Sequence, residues 1–587
     1  MAAASRPSGG GALLRENGDT SMAEQAQVNQ FPFGYLDDMI GELAASKQNW
    51  ARTSVAERIG VLTGIKTAIM TVAEKWALTA AAKKQIPADS PLVGEEWMSG
   101  PYALMSGCNA FIETLSHIDG KTFLNSLPVR ELPNGQIAAT VVPHSTWDRL
   151  LLSGIKAEIW MQPGITKENL AQNTAGTYDI PPAQRDGAIS LVLGAGNIAA
   201  ITPLDCFHKL FVEHQVVILK MNPVNDYLLD FFNVALKPLV DRGALRMVRG
   251  GADVGEYLCQ HAEIADIHIT GSGASHDIIV WGAGEDGTRN KARGTPRNTR
   301  RITSELGAVC PTIVVPGPWT KADIAFQAEH IVSQKLHNSG FNCIACQVLV
   351  VPGDWDATSD LLADIDGAIR AAPPRGLYYP GAQARLDDFA RHGKEVKKVE
   401  RAGSPPTVIV PFESGDTAWL AHNEVFAPAM NIPRIKGTDP EAYLRDAIRF
   451  ANETLHGTLG ANIIIHPATI RAIGRKRFDE ILAELKYGCI AINSWSGLGF
   501  LLVQATWGAF PGHTLDNVQS GIGTVHNSFM FDKPERTVVE APFRPFPPPP
   551  WFVTNKTQHV LGKLLTAFQY KPSWFKLPRI FMNALQG

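Results

Sequence analysis

The sequence has no apolar run approaching the roughly 18 residues that cross a bilayer; its best candidate, VVILKMN, is broken by Lys220. It has no excess of one charge either. Fifty-four basic and 57 acidic side chains leave a net charge of -3, so no global field draws it to nucleic acid. Cysteine is sparse: Cys108, Cys206, Cys259, Cys310, Cys343, Cys346 and Cys489 are odd in number and scattered. That argues against a disulfide framework and for free thiols in a reducing, cytoplasmic compartment. The 16 histidines are dispersed, HExxH is absent, and no second cysteine pair completes Cys343-x-x-Cys346, so no metal site is expected. There is no internal repeat.

What is present is a long chain of 587 residues, 45% apolar and 19% charged. A large core can be buried, and on a prior of roughly 150 residues per domain the chain holds about three or four structural units. Its 52 glycines and 39 prolines point to many turns rather than a helical bundle. Residues 1–30 are rich in Ala, Gly, Ser and polar side chains. With Arg15, Glu16 and Asp19 where an apolar block would lie, they read as a disordered leader, not a signal peptide; Met22 is an alternative start. At the other end, residues 541–587 carry six cations and no acid, interleaved with Trp551, Phe552, Phe568, Trp574, Phe575 and Phe581 and preceded by PFPPPP. Such a tail either docks on the protein body or a second subunit, or makes peripheral contact with an anionic membrane.

Between the ends, Val55, Ile59, Leu62, Ile65, Ile69 and Val72 recur at helical spacing. ELPNGQIAATVV (131–142) carries Asn134-Gly135, a hairpin turn signal. From residue 188, β-rich runs (AISLVLG, VVILK, LRMVRGG, ADIHITGSG) alternate with helical stretches, and a second series (PTIVVPG, CQVLVVPG, TVIVPF, ANIIIHP) follows over 311–497. The fold class expected is α/β, with parallel sheets and crossover helices.

Three features can carry chemistry. GAGNIAA (194–200) after AISLVL fits the dinucleotide fingerprint, in which glycines let the backbone approach a pyrophosphate. The next strand ends in Lys220-Met221-Asn222-Pro223, and Lys220 is a donor for ribose oxygens or a 2′-phosphate as well as a plausible solvated lysine. NSGFNCIAC (338–346) places Cys343 after a Gly/Asn loop and before a strand, where a thiol serves as nucleophile or as a small buried hydrophobe; Cys346 reads as the latter. Glu305 in SELGAVCP suits a general base or an exposed glutamate.

Taken in order, ITPLDCF (201–207), LKMNP (219–223), TGS (270–272), SELG (304–307), NSGFNC (338–343) and NEVFAPA (423–429) resemble the aldehyde dehydrogenase superfamily pattern PWN, K-P-S/A-E, TGS, ELGGK, N-x-G-Q-x-C, E-x-F-G-P. The likeness covers about 190–500. It implies an aldehyde dehydrogenase-like fold, with two Rossmann-like parallel-sheet domains and a small β oligomerisation element. The expected cofactor-binding domain is 31–120 with 150–306, the catalytic domain 307–497, and the bridging segment 121–149 with 498–540. The resemblance implies an NAD- or NADP-dependent oxidation of an aldehyde to its acid in a homodimer or homotetramer. Cys343 would attack the carbonyl, and Glu305 would activate water against the resulting thioester. Thr202, Pro203, Lys220, Asn222, Gly271, Ser272, Glu424 and Phe426 would hold the cofactor.

The departures matter. Asp205 stands where the family's Asn donates to the oxyanion, a loss typically worth ~3 kcal/mol; it is protonated, or another group donates, or the enzyme is slow. Phe341 replaces Gln, Ala308-Val309 replace Gly-Lys, and Pro223 replaces a ribose-binding Glu. The 281–303 stretch is long and cationic, fit for a 2′-phosphate, coenzyme A or plain solvation. SWSGLGFLL (494–502) hints at an apolar aldehyde. Two rivals stay open: a coenzyme A-acylating reductase, and a non-catalytic scaffold on the same fold.

Overall fold

The computed structural model of the chain describes residues 33–587; the expected leader and the Met22 start lie outside the described residues. The first long helices form where apolar spacing and capping agree. Val55–Lys83 begins in a capping box made by Ser54 and Glu57 and buries Leu62, Ile65, Ile69, Ala73, Trp76 and Ala80, one stripe at three- and four-residue steps.

A six-stranded sheet follows. Leu245–Val248, Val216–Lys220, Ile189–Leu193, Ile264–Gly271 and Arg301–Leu306 lie parallel in that spatial order, with Gly521–Ile522 antiparallel at the edge. Ile189–Leu193 comes first in the chain yet lies in the middle, so strand order reverses beside it. At such a switch point, loops from adjacent carboxyl ends part and leave a crevice. The loops here are 194–200 and the turn at Gly271-Ser272.

A twelve-stranded sheet holds the second series. Thr407–Pro411, Ala429–Ile432, Val348–Pro352, Pro311–Val314, Gly460–Ile464 and Cys489–Ile492 are parallel neighbours in that order. These strands are buried along nearly their whole length, which is why they read as mostly apolar runs. Pro534–Glu540 pairs with Cys489–Ile492, and an antiparallel ribbon of Lys156–Met161, Ile137–Val142 and Val129–Glu131 continues the sheet. The turn at Gly135, φ 86°, closes that hairpin.

Two expected boundaries move. Lys156–Met161 was assigned to the cofactor-binding part, but its partners are the ribbon and Pro534–Glu540. The 498–540 stretch is not one unit: Gly521–Ile522 joins the six-stranded sheet and Pro534–Glu540 the large one. Strand pairing over hundreds of residues decides both, and local pattern does not carry it.

The basic tail is seated on its own chain. The helix Gln558–Tyr570 packs on Val93–Trp97 and Ala103–Ser116. A Cβ on Gly94 would fall 2.3 Å from the Gln558 carbonyl carbon, and one on Gly562 2.5 Å from Trp97, so glycine on both helices permits the approach. Among the described residues no helix is long and apolar enough to cross a membrane.

Candidate active site

The strand Arg301–Leu306 carries Glu305 at its end, and the turn His337–Gly340 delivers Cys343 beside it. The Cys343 Sγ donates to Glu305 Oε1 at 3.7 Å, while the other oxygen, Oε2, is buried without a partner. Cys343 is the one partly exposed cysteine of the seven; Cys346 is fully buried, as expected. Burial pushes the Cys343 thiol well above its usual range, and the Glu305 and Glu424 carboxylates push it further. Burial also raises Glu305, reinforced by the negative charge of Asp205. The pair therefore rests as a thiol beside a carboxyl group, each disfavoured from ionising by burial and by neighbouring negative charge.

The turn before the nucleophile is held under strain. Asn338 and Ser339 have φ of 51° and 56°, and Gly340 φ of 80°. A Cβ on Gly340 would meet the Ala427 carbonyl at 2.7 Å, so glycine is needed there for conformation and for space. Buried charges fix the turn from below. Glu95 accepts from the Asn338 N–H at 3.0 Å and from Arg375 at 2.6 Å, and Arg375 and Tyr378 also reach the Asn338 side chain. Phe341, where a polar residue was expected, anchors the turn among Tyr378, Tyr379 and Phe426, with ring centroids 4.9, 5.5 and 5.8 Å away.

Asn197, which the sequence reading passed over, is buried beside this turn. Its amide donates to the Phe341 carbonyl at 3.0 Å, and its backbone carbonyl receives Lys84 at 2.8 Å and Asn338 at 3.3 Å. One N–H goes to Phe341, so the second is left for a guest. Asn197, Glu305 and Cys343 line one cavity of about 860 Å³. The signal was there: Asn197 is the last residue of GAGN, read only as a glycine fingerprint.

Asp205 is a correction. It lies in the helix Ile201–Phe207, every residue of which is buried, and it does not line the cavity. Thr270 donates to it at 2.8 Å, His526 sits at 3.1 Å and His268 at 3.6 Å. Burial opposes its charge, but the two imidazoles more than offset that and hold its pKa down to about 2. It is an ionised structural partner that acts on Glu305 through its field. Thr202 and Pro203 are likewise buried in that helix, Thr202 packed against Gly194; the first motif was aligned too far along the chain.

Of the other expected cofactor residues, Lys220, Asn222, Gly271 and Ser272 lie at the carboxyl ends of strands beside the switch point, while Glu424, against Gly307, and Phe426, against Tyr379, come from the loop before Ala429–Ile432. Lys220 ends its strand, buried, its ammonium disfavoured by burial and without an ion pair among the described residues. Gly271 and Ser272 open the helix Gly273–Trp281, with Ser272 capping Ser275. The Asn222 side chain accepts from Val224 at 3.0 Å and, with the Tyr379 hydroxyl, closes on Gly196, where a Cβ would approach both at 2.8 Å. Glu424 is raised to about 7 by burial, partly countered by Lys335, and its Oε1 has no partner; Phe426 follows at φ 43°. An unpaired cation, a helix N-terminus, a backbone cradle and an unsatisfied carboxyl suit a group bearing phosphates and ribose hydroxyls. The cationic stretch does not add to this. It is largely the helix Gly284–Arg293, and Lys291, Arg289, Arg297 and Arg301 pair with Asp277, Asp286, Glu256 and Glu213.

The sequence profile of the Aldehyde dehydrogenase family matches residues 216–369. The chain is 23% identical over 266 residues to a D-glyceraldehyde dehydrogenase (NADP(+)) of Thermoplasma acidophilum, covering 42% of this chain and 50% of that one. It is 23% identical over 350 residues to aldehyde dehydrogenase [NAD(P)+] 1 of Saccharomyces cerevisiae, covering 54% and 63%. The matches thus span about half to three fifths of these relatives. Solved structures match more fully: an aldehyde dehydrogenase C mutant of Pseudomonas syringae, complexed with NAD+ and octanal, has a TM-score of 0.58 at 17% identity over 87% of this chain and 90% of that one. A Mycobacterium tuberculosis aldehyde dehydrogenase complexed with NAD+ has 0.57 at 15% over 86% and 89%.

Proposed function

We propose that this chain, which resembles the aldehyde dehydrogenase family in sequence over residues 216–369 and shares its fold, oxidises an aldehyde to a carboxylic acid with NAD+ or NADP+ through Cys343. The observation that carries the reading is one accessible thiol, 3.7 Å from a buried carboxylate, facing a cavity. Lys220, Ser272, Asn222, Glu424 and Phe426 would hold the dinucleotide, whose nicotinamide, when bound, supplies the hydride acceptor. Pro223 stands where a ribose-binding acid would lie, while Asp253 acts on Lys220 through its field, which keeps both cofactors in play.

Cys343 adds to the carbonyl carbon as its proton is lost to solvent, leaving Glu305 free for the later step. The new oxyanion takes the second N–H of Asn197, a donor typically worth ~3 kcal/mol in such a site. Once the carbonyl carbon has lost its hydride, a thioester remains on Cys343. Glu305 then takes a proton from water as that water adds, and the acid leaves as the thiol re-forms. The coenzyme A rival loses ground because Arg289, Lys291, Arg297 and Arg301 are ion-paired and Arg300 donates to backbone carbonyls, so most of the cations meant to grip that ligand are engaged. The scaffold rival loses ground because Asp205, its main support, lies off the cavity. A reducing cytoplasm fits seven free thiols, and a homodimer or homotetramer remains part of the reading.

The test is a steady-state aldehyde panel with both cofactors. Turnover by wild type and none by Cys343→Ser, with cofactor binding kept, supports the assignment; Glu305→Gln should give a burst of reduced cofactor followed by slow release. Loss of activity in Cys346→Ser but not Cys343→Ser would overturn it.

A further inference from the structure

The cavity does not stop at Cys343. From Asn197 and Glu305 it runs past Ile198, Leu498, Phe500 and Trp551 to a far wall built within residues 545–584, where Leu561, Leu565, Phe568 and Ile580 line it. Its volume, about 860 Å³, sits near the top of the range for small-molecule sites, far more than a two- or three-carbon aldehyde fills. The wall is firmly seated: Asn109 donates to Gln569, Gln327 to the Phe543 carbonyl, and Ser333 accepts from the Val553 N–H. Exposed Phe546 and Phe581 also belong to the lining and mark where it reaches solvent.

The charged groups along the way are committed elsewhere. Glu95 is paired with Arg375, Asp148 caps its own helix, and Glu113 faces His117 and His144. His330, between Gln327 and Gln334, is pushed down to about 3 by burial and is neutral. No Lys or Arg lines the chamber to answer a carboxylate or phosphate on the substrate's distal end, and Glu113, faced by those two histidines, is the one exposed acid lining it.

We propose that the C-terminal extension is the distal wall of the substrate chamber, and that it selects aldehydes carrying a long, uncharged, unbranched hydrocarbon chain. This rests on the aldehyde-oxidation reading. Each methylene drawn into the chamber contributes about fourfold in kcat/KM, the equivalent of ~0.8 kcal/mol per buried CH₂. Specificity therefore climbs with chain length until the chain meets the helices Gln558–Tyr570 and Leu577–Ala584.

Deleting the extension would expose core, so the test uses point variants of the full chain. Straight-chain aldehydes from propanal to dodecanal are compared on wild type, Leu565→Trp and Leu565→Ala. The expected result is a rise of at least a hundredfold from propanal to decanal in wild type. Leu565→Trp should cut decanal and dodecanal by tenfold or more while propanal changes less than twofold, and Leu565→Ala should move the optimum to longer chains. A flat length dependence, or equal loss for short and long aldehydes in Leu565→Trp, overturns the proposal. A second readout needs no turnover: decanoate should slow iodoacetamide alkylation of Cys343, propionate should not, and Leu565→Trp should abolish the protection. If no aldehyde is oxidised but decanoate still protects, the aldehyde reading fails and the chamber stands. If short aldehydes are oxidised and decanoate gives no protection, the chamber fails and the aldehyde reading stands.

Discussion

The strained turn before Cys343 makes Glu95 the most consequential residue outside the cavity's chemistry. Asn338 and Ser339 are non-glycine residues in the left-handed region, at a cost of about 1–2 kcal/mol each. Opposing that cost of about 2–4 kcal/mol is a buried carboxylate that receives the Asn338 N–H at 3.0 Å and Arg375 at 2.6 Å. A hydrogen bond to a charged group contributes about 1.5–3 kcal/mol, so the two effects are comparable and the turn is held with little surplus. Removing Glu95 also strands Arg375, whose side chain is 1% exposed. Breaking one half of a buried pair typically costs about 3–5 kcal/mol. Glu95→Leu and Arg375→Met should each destabilise by that amount, and the double variant by at least about 1 kcal/mol less than their sum. Urea midpoints measure stability, and the alkylation rate of Cys343 reports the turn; both singles should change that rate. Additivity within about 0.5 kcal/mol, the behaviour of independent sites, with an unchanged alkylation rate, would refute the claim that this pair holds the nucleophile's turn.

Three further outcomes follow from the electrostatics of the site. Glu305→Gln removes a carboxylate that raises the Cys343 thiol, so its alkylation at neutral pH should speed up; a slower rate would contradict the assigned sign. Asp205→Asn removes a charge that raises Glu305. Glu305 then ionises at lower pH, and the acid limb of the steady-state profile should shift downward with most activity retained. Asn197→Ala should lower kcat by about 10²–10³, the loss typical of one oxyanion donor, with little change in cofactor affinity measured by fluorescence titration; an active Asn197→Ala would return the oxyanion role to another donor.

The fold was legible where local pattern and burial coincide. AISLVL, VVILK and ANIIIHP are mostly apolar because parallel strands are covered on both faces, and Asn134-Gly135 marks its turn by backbone need alone. Glu305 and Cys343 were legible because a strand end and a glycine turn each left a reactive side chain at a junction. What stayed hidden is the long-range pairing: that Lys156–Met161 leaves one sheet for another, and that Glu95 meets a guanidinium 280 residues away.

Asn197 and Asp205 show why the oxyanion donor was misplaced. Both are polar residues in an otherwise apolar stretch after the same strand, and the motif alone cannot say which faces the cavity. The surroundings decide. Asp205 sits between Leu204 and Cys206 in a helix with no exposed face, where a carboxylate persists only if paired inside; its partner His526 is 321 residues away. Asn197 lies in the loop before that helix, at the carboxyl end of a central strand, where backbone groups and an amide can face a bound molecule. A charge within an all-apolar helix is thus better read as half of an internal pair, and the amide in the preceding loop as the group that meets substrate.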